Sequence, residues 1–187
     1  MSYNFTEKIP NIHPDTYIAS GAHIIGRVTL NKNVSIWHNT VIRADINDII
    51  IDENTNIQDN SVIHVADDYK AIVGKGCTVG HNVIIHACTI GNNCLIGMGS
   101  IIMDGAIIGD NSLVAAGTLI SPGKSFPEGS LIIGSPAKLK RKLTNEEIHN
   151  ISESSKKYIQ VWKAYVTNGI PVYNGKREIQ LPYISTK

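Results

Sequence analysis

Three of the seven histidines lie close enough along the chain to belong to one metal site. His81 follows His64 by 17 residues, and His86 follows His81 by five. Three neutral imidazoles and a water molecule form a coordination shell that is typical of catalytic Zn²⁺ or Fe²⁺, with one position open to substrate. The other four histidines are expected to be solvated on the surface; they are His13, His23, His38 and His149.

An aliphatic residue recurs at every sixth position over most of the range 1–140. A period of six is neither that of a helix nor that of an alternating strand, whereas six residues suffice for one short strand and one turn. In the strictest series, a small residue stands four positions after each of the first five leading residues. The leading residues are Ile90, Ile96, Ile102, Ile108, Val114 and Ile120, and the small ones are Cys94, Ser100, Ala106, Ser112 and Thr118.

Three such hexads make one triangular coil of about 18 residues, and coils stack at the strand spacing of about 4.8 Å. The leading aliphatic side chains then point inward, while Gly and Asn occupy turns that need positive φ. The sequence therefore predicts a mainly β protein, in which residues 1–140 form a left-handed parallel β-helix of hexapeptide repeats.

One α-helix is predicted after the β-helix, over residues 141–169. Thr144 and Glu147 have the spacing of a capping box, apolar residues recur behind them at helical spacing, and Gly169 ends the pattern. We expect this helix to pack on the β-helix or on a neighbouring subunit, where it helps to close the solenoid. Residues 170–187 are expected to form an extended tail.

Composition excludes several classes of protein. The net charge of +1 gives no electrostatic footprint for nucleic acid, and no run of 18 apolar residues predicts a membrane span. The first residues lack the apolar region of a signal peptide. The three cysteines form no CxxC pair and are expected to be small buried residues in a reducing compartment. We therefore expect a cytoplasmic protein.

The coil geometry suggests how the histidines could converge. Because three hexads complete a coil, His64 and His81 are expected on similar faces of successive coils, and His86 on a different face. The adjacent faces of one prism cannot meet on its outside, but two prisms side by side in a trimer share a groove. His64 and His86 of one subunit could then meet His81 of the next.

Four segments resemble the gamma-class carbonic anhydrase-like family of hexapeptide-repeat proteins, and the resemblance spans residues 10–165. The two middle segments are the most specific, because they hold the three histidines in their context. The resemblance implies that these histidines bind the metal of a homotrimer, with His81 contributed by the adjacent subunit. The segments are VSIWHNTVIRAD (34–45), NIQDNSVIH (56–64), VGHNVIIHACTIGNNCLIGMGS (79–100) and GSPAKLKRKLT (134–144).

The resemblance also implies roles for five neighbours of the histidines. Arg43 and Asp45 match an interface pair near the site, and Asp59 matches an interface carboxylate that pairs with Arg43. Gln58 matches a residue that orients the metal-bound hydroxide, and Tyr158 matches a tyrosine that approaches the metal pocket. Plainer interpretations stay open, namely a structural ion pair, a stacked turn residue and simple helix packing.

The reaction that the resemblance implies is the reversible hydration of CO₂ to bicarbonate, with Zn²⁺, or alternatively Fe²⁺ or Co²⁺, as the metal. The sequence departs from the most active members at the groups that carry protons. Ile46 stands where they have a glutamate, and a short segment with Asp67 and Asp68 replaces a long acidic loop. A slow or non-catalytic metal-binding homologue is therefore an alternative.

A second alternative is a CoA-dependent acyltransferase or a CoA-thioester hydrolase, because hexapeptide β-helices also host such chemistry. A transferase needs one histidine as a general base rather than three metal ligands. The three-histidine set therefore favours the anhydrase interpretation.

Overall fold

The computed structural model describes residues 9–169 and two short strands beyond them. Short strands alternate with turns over residues 11–142 and wind into a three-sided, left-handed parallel β-helix, which confirms the predicted fold class. The elements are β1 (Asn11–Ile12), β2 (Tyr17–Ile18), β3 (His23–Leu30), β4 (Ser35–Ile36), β5 (Val41–Ile51), β6 (Asn56–Ile57), β7 (Val62–His64), β8 (Ala71–Val73), β9 (Thr78–Val79), β10 (Ile84–His86), β11 (Thr89–Ile90), β12 (Leu95–Ile96), β13 (Ile101–Ile102), β14 (Ile107–Ile108), β15 (Leu113–Val114), β16 (Leu119–Ile120), β17 (Ser125–Phe126), β18 (Ser130–Gly134), β19 (Ala137–Lys142), α1 (Asn145–Thr167), β20 (Val172–Tyr173) and β21 (Ile179–Gln180).

Each side of the prism is a stack of parallel strands. Face one contains the first halves of β3 and β5, followed by β7, β10, β13 and β16. Face two contains β1, the second halves of β3 and β5, and then β8, β11, β14 and β17. Face three contains β2, β4, β6, β9, β12, β15 and β18. The long strands β3 and β5 bend around the corner between faces one and two.

The leading residues of the hexads form the core, as predicted. All six from Ile90 to Ile120 are at most 1% exposed, and the small residues that follow them four positions later are also buried. Small side chains are needed there because the chain turns inside the prism, where no room is left for a larger group. The three cysteines are free thiols in this buried layer, which confirms that they are packing residues.

Most corners turn through one residue with positive φ, which Asn and Gly adopt at low cost. Ala87 is an exception: its φ of 48° is unfavourable for an alanine, and it directly follows His86. The asparagines in this conformation are Asn33, Asn39, Asn54, Asn60, Asn82, Asn93 and Asn111.

The coils differ in length around the histidines. The strand register pairs Val62 with Ile84, so the coil between them is four residues longer than three hexads. It pairs Ile84 with Ile101, so the following coil is one residue shorter than three hexads. The next coil, from Ile101 to Leu119, contains three full hexads. The four extra residues lie in the segment 66–70, and the missing residue lies in the turn at Ala87, so both irregularities fall at the corner between faces one and two.

The C-terminal end of the β-helix is closed by a strand that runs the other way. Strand β19 pairs antiparallel with β18 and extends to Lys142, and the helix begins at Asn145, directly after the predicted cap Thr144. The capping box is confirmed: the Thr144 side chain accepts a hydrogen bond from the backbone of Glu147, whose carboxylate accepts one from the backbone of Thr144. Gly169, with φ of 54°, follows the C-terminal cap as predicted.

Helix α1 packs on face three of its own chain. Its aromatic residues Tyr158, Trp162 and Tyr165 lie against the buried rings of Tyr17 and Trp37. The ring centroids of Trp37 and Tyr158 are 5.5 Å apart in an edge-on arrangement, and those of Tyr17 and Trp162 are 6.1 Å apart and stacked. Such contacts fix the helix beside the corner between faces three and one.

Most of the segment 170–187, predicted as an extended tail, lies outside the described residues. Within it, β20 and β21 pair in an antiparallel arrangement. Among the described residues, no helix combines the length and the apolar character that crossing a bilayer requires.

Candidate metal centre

Two of the three predicted ligands meet at the corner between faces one and two. His64 and His86 end strands β7 and β10 and are register partners in adjacent coils. Nδ1 of His64 lies 3.1 Å from Nε2 of His86, and the ring centroids are 5.1 Å apart. We call this corner, with Arg43, Asp45 and Asp104 around the two rings, the His64–His86 corner.

A carboxylate holds the outer nitrogen of each ring. Nε2 of His64 lies 3.0 Å from Oδ1 of Asp45, and Nδ1 of His86 lies 2.5 Å from Oδ1 of Asp104. An ionised carboxylate only accepts hydrogen bonds, so each ring carries its proton on the nitrogen that faces the carboxylate. The two nitrogens that face each other across 3.1 Å are therefore both lone pairs when the rings are neutral.

Two facing lone pairs repel each other unless a cation lies between them. Two nitrogen ligands at 2.0–2.1 Å from one tetrahedral ion lie about 3.3 Å apart, close to the separation of these atoms. Carboxylates behind metal-binding imidazoles fix the ring tautomer and raise its basicity. The donor set at this corner therefore fits a divalent metal ion.

Arg43 and Asp45 form an ion pair beside the His64 ring. Both lie on β5, Arg43 is the register partner of His64, and its guanidinium donates to the Asp45 carboxylate. Desolvation raises the pKa of Asp45, but hydrogen bonds from His64 and Arg43 outweigh it, and the pKa lies below its ordinary value. Asp45 thus stays ionised at neutral pH as the acceptor for His64.

The third predicted ligand lies at the opposite edge of face one, in the turn between β9 and β10. Nδ1 of His81 lies 2.9 Å from Oδ2 of Asp59, which leaves Nε2 of a neutral ring as the atom with a lone pair. Gln58 precedes Asp59 and is buried, with its Nε2 donating to Oδ1 of Asn56 over 3.1 Å. We call the corner between faces three and one, with these residues, the His81 corner.

The prediction that His64 and His81 share a face, with His86 on another, is wrong. His64 and His86 stack on face one, and His81 lies apart from both. The prediction assumed coils of three hexads, whereas the segment 66–70 lengthens this coil by four residues. His64 and His86, rather than His64 and His81, are therefore one turn of the prism apart.

One chain does not bring the three histidines together. His81 lies in the turn before β10, whereas His86 ends β10, so the two lie at opposite edges of face one. Over the described residues, no group of three His, Cys, Asp or Glu side chains is arranged to hold a metal ion. Asp59 and Arg43 likewise lie at different corners, so they form no pair within a chain.

A cleft of about 400 Å³ opens beside the His81 corner, between α1 and the β-helix. Tyr158 and Asp59 both line it. Desolvation raises the pKa of Tyr158, and the charges of Asp59 and Tyr165 raise it further, so the phenol stays protonated.

Two residues of this region were missed in the sequence. Asp104, which holds His86, follows it by 18 residues, the length of three hexads, so a carboxylate at that spacing was a usable signal. His38, expected to be solvated, is half-buried; it lines the same cleft and its Nδ1 lies 3.2 Å from the carbonyl oxygen of Ser20.

The segment 66–70 lies at the His64–His86 corner. The side chain of Asn47 on β5 donates to the backbone oxygens of Ala66 and Asp67 and so holds the segment. Asp67 and Asp68 themselves are exposed to solvent. Ile46 packs half-buried against the core.

Comparisons with known proteins identify the repeat and find relatives over most of the chain. The family model "Bacterial transferase hexapeptide (six repeats)" matches residues 10–44 and 87–122. The protein named "Carbonic anhydrase" from Geobacillus kaustophilus is 42% identical over 165 residues, which cover 88% of this chain and 91% of that protein.

"Gamma carbonic anhydrase 2, mitochondrial" from Arabidopsis thaliana is 40% identical over 84% of this chain, but the chain spans only 59% of that longer relative. Among solved structures, a hexapeptide transferase family protein from Anaplasma phagocytophilum superposes with a TM-score of 0.80. It is 45% identical, and the match covers 83% of this chain and 92% of that one.

Proposed function

Since the chain belongs to the gamma carbonic anhydrase-like family of hexapeptide-repeat proteins, we propose that it is a lyase that catalyses the reversible hydration of CO₂ to bicarbonate. The reaction takes place at a metal ion that adjacent subunits of a homotrimer share. The observation that carries the proposal is the pair of imidazole lone pairs of His64 and His86, which face each other across 3.1 Å with a carboxylate behind each ring.

The metal ligands in this proposal are His64 and His86 of one subunit and His81 of the next. Three imidazoles suit Zn²⁺, Fe²⁺ or Co²⁺. A bound metal of this kind lowers the pKa of a water ligand towards 7 and so provides hydroxide at neutral pH. The separation of His81 from the other two ligands within one chain supports a site that two subunits complete.

The outer surface of face one supports association with a second copy. Val62, Ile84 and Ile101 point outward in one row and are 38%, 40% and 37% exposed, while their neighbours Ile63 and Ile85 are fully buried. An exposed aliphatic row of this kind marks an interface. Because it lies between the two histidine corners, a copy that covers it brings the His81 corner of one subunit to the His64–His86 corner of another.

The other residues around the ligands hold them and the substrate. Asp45 and Asp59 accept hydrogen bonds from the imidazole N–H groups of His64 and His81, and Arg43 donates to Asp45. In the trimer, Arg43 pairs with Asp59 of the neighbouring subunit. Gln58 orients the hydroxide with its side-chain oxygen or with its second amide hydrogen, since the first is donated to Asn56. The Tyr158 hydroxyl borders the pocket.

Mixed trimers test whether the site is shared. His81→Ala subunits and His64→Ala/His86→Ala subunits are co-expressed with different tags, and trimers that carry both tags are isolated. Neither variant alone should hold metal or hydrate CO₂. Each isolated trimer should recover about a third of the wild-type sites, because one of its three interfaces joins an intact His64–His86 corner to an intact His81.

A mixture of His64→Ala with His86→Ala subunits is the matched control, because every interface then lacks one ligand and no recovery is expected. Mixed trimers of the first kind that stay metal-free would contradict a shared site. Recovery of metal without hydration above the buffer rate, measured by stopped flow, would favour a non-catalytic metal-binding homologue.

A second candidate function is acyl transfer or thioester hydrolysis with CoA, which the transferase name of the Anaplasma structure favours. It is distinguished by turnover of acetyl-CoA that survives complete removal of metal. Such turnover in the absence of CO₂ hydration would overturn the proposed reaction.

A further inference from the structure

His38 belongs to a column of residues at the His81 corner. The backbone N–H of Asn60 donates to the carbonyl of His38, and that of Asn82 donates to the carbonyl of Asp59, so the turns of three successive coils stack directly. Asp59 therefore lies between His38 and His81. At about 4.8 Å for each coil, the two histidines are roughly 10 Å apart.

The hydrogen bonding of His38 leaves a proton acceptor available. Its Nδ1 lies 3.2 Å from the carbonyl oxygen of Ser20, which only accepts, so the neutral ring carries its proton on Nδ1. Nε2 is then the basic atom, and the described residues provide no hydrogen-bond donor to it. Imidazole is the side chain that gains and loses a proton near neutral pH.

The surroundings of His38 connect it to both the site and the solvent. His38 lines the open cleft of about 400 Å³ together with Asp59, Lys157, Tyr158 and Tyr165. Because the cleft is open, water and buffer molecules can reach the His38 ring.

We infer that His38 takes the proton that CO₂ hydration releases and passes it through the cleft to buffer. In each hydration, CO₂ and water give bicarbonate and one proton; His38 Nε2 binds that proton, and a buffer base then removes it. Dehydration runs the same transfer backwards. The inference rests on the proposed function. It gives His38 the role of proton carrier, because the sequence has no glutamate for that role at position 46 or in the segment 66–70.

The two aspartates of the segment 66–70 suit the role of proton carrier less well than His38. Asp67 and Asp68 are exposed to solvent at the opposite corner of face one, and neither lines the cleft. Of the other histidines outside the ligand set, His23 and His149 are exposed and His13 lies near the N-terminal end, and none of these three lines the cleft.

Steady-state kinetics separate the proton transfer from the conversion of CO₂. In weak buffer, His38→Ala should lower kcat about ten-fold and leave kcat/KM unchanged, because only kcat contains the transfer to buffer. Added imidazole buffer should restore kcat. His149→Ala, on the exposed side of α1, is the matched control and should change neither constant.

Two further readouts do not depend on turnover. Metal content and trimer mass of His38→Ala should equal those of wild type, which excludes a loss of structure. In Zn²⁺-loaded trimer with ¹⁵N-labelled histidine, the His38 signal, identified by its loss in His38→Ala, should show a neutral ring with its proton on Nδ1, because Nδ1 donates to the Ser20 carbonyl oxygen.

A neutral His38 ring with its proton on Nε2, which leaves no basic atom towards the cleft, or an equal fall of kcat and kcat/KM would overturn the inference. Unchanged kcat in weak buffer would overturn it too, while the proposed function would stand. A wild-type trimer that is fully metallated but does not hydrate CO₂ would overturn the proposed function, and the role of His38 with it.

Discussion

The two corners that border face one are built differently. The His81 corner is regular: His38, Asp59 and His81 stack in successive coils, each followed by an asparagine with positive φ. At the His64–His86 corner, by contrast, successive coils carry an extra segment at 66–70 and a shortened turn at Ala87. The comparison teaches that two ligands can stack only where the coil departs from its repeat, whereas a single ligand fits the repeat unchanged.

The largest effect is expected from the core that both corners share. Ile102 is fully buried one coil beyond His86. Ile102→Ala should lower the free energy of unfolding by about 2–5 kcal/mol, because it leaves a cavity in a packed stack. Denaturant titration measures the loss, with the exposed Ile107→Ala, on the same coil, as the control.

Because Ile102 does not contact either ligand corner directly, folded Ile102→Ala should still bind metal. A large loss of metal at low temperature, where the variant is folded, would show that the corners are not independent of this layer.

The next largest effect is expected from the two carboxylates that each hold one histidine ligand, one at each corner. Asp59→Asn acts on His81, and Asp104→Asn acts on His86; each keeps the shape of the side chain and removes its charge. Either change should weaken metal affinity about 10–100-fold, because the imidazole loses its fixed tautomer and part of its basicity. Competition with a chelator measures the affinity.

Similar losses in the two variants are the expected result, since the proposed site uses both corners. A loss with Asp104→Asn and none with Asp59→Asn would restrict the metal to the His64–His86 corner.

A smaller effect concerns the turns themselves. Gly99, which stacks one coil beyond His81, has φ of 69° and open space around its α-carbon, so Gly99→Ala should cost about 1 kcal/mol through backbone strain alone. Ala87→Gly relieves such strain at the irregular corner and should be neutral or stabilising by about 0.5 kcal/mol. Thermal unfolding of both variants measures the contrast, and destabilisation by Ala87→Gly would contradict it.

The smallest effect lies in the cap of the helix that covers the His81 corner. Hydrogen bonds from Arg141 and from the Thr144 backbone lower the pKa of Glu147 to about 2. A lowered pKa stabilises the fold above the ordinary value of 4.5, and this contribution disappears as the pH falls towards 2. Glu147→Gln should therefore lower the thermal midpoint slightly at pH 6, and the difference from wild type should vanish near pH 2. A difference that persists at pH 2 would argue against the ionised cap.

The sequence predicts well what the repeat determines. The six leading residues from Ile90 to Ile120, the small residues that follow them, the capping box at Thr144 and the fold class all depend on local pattern, and all are confirmed. The reason is that each hexad meets the same environment, so one rule covers every coil.

The arrangement of the ligands could not be derived in the same way. A rule of three hexads to a coil fails when four residues loop out after His64, because the loop changes which residues stack without disturbing the hexads on either side. The hydrogen bond of His38 to Ser20 depends on side-chain orientation at its corner, which period and composition do not encode.

Strand β19 has a consequence for the length of the protein. It pairs antiparallel on the last strand of face three and places Lys138, Lys140 and Arg141 along the outside, so another chain meets positive charge there instead of a free parallel edge. On face three this end of the solenoid therefore offers no free edge to a further parallel strand. At this end a new coil can join face three only ahead of β19, as a duplication of three hexads, and one inserted after residue 107 would lengthen the prism while leaving both histidine corners in place.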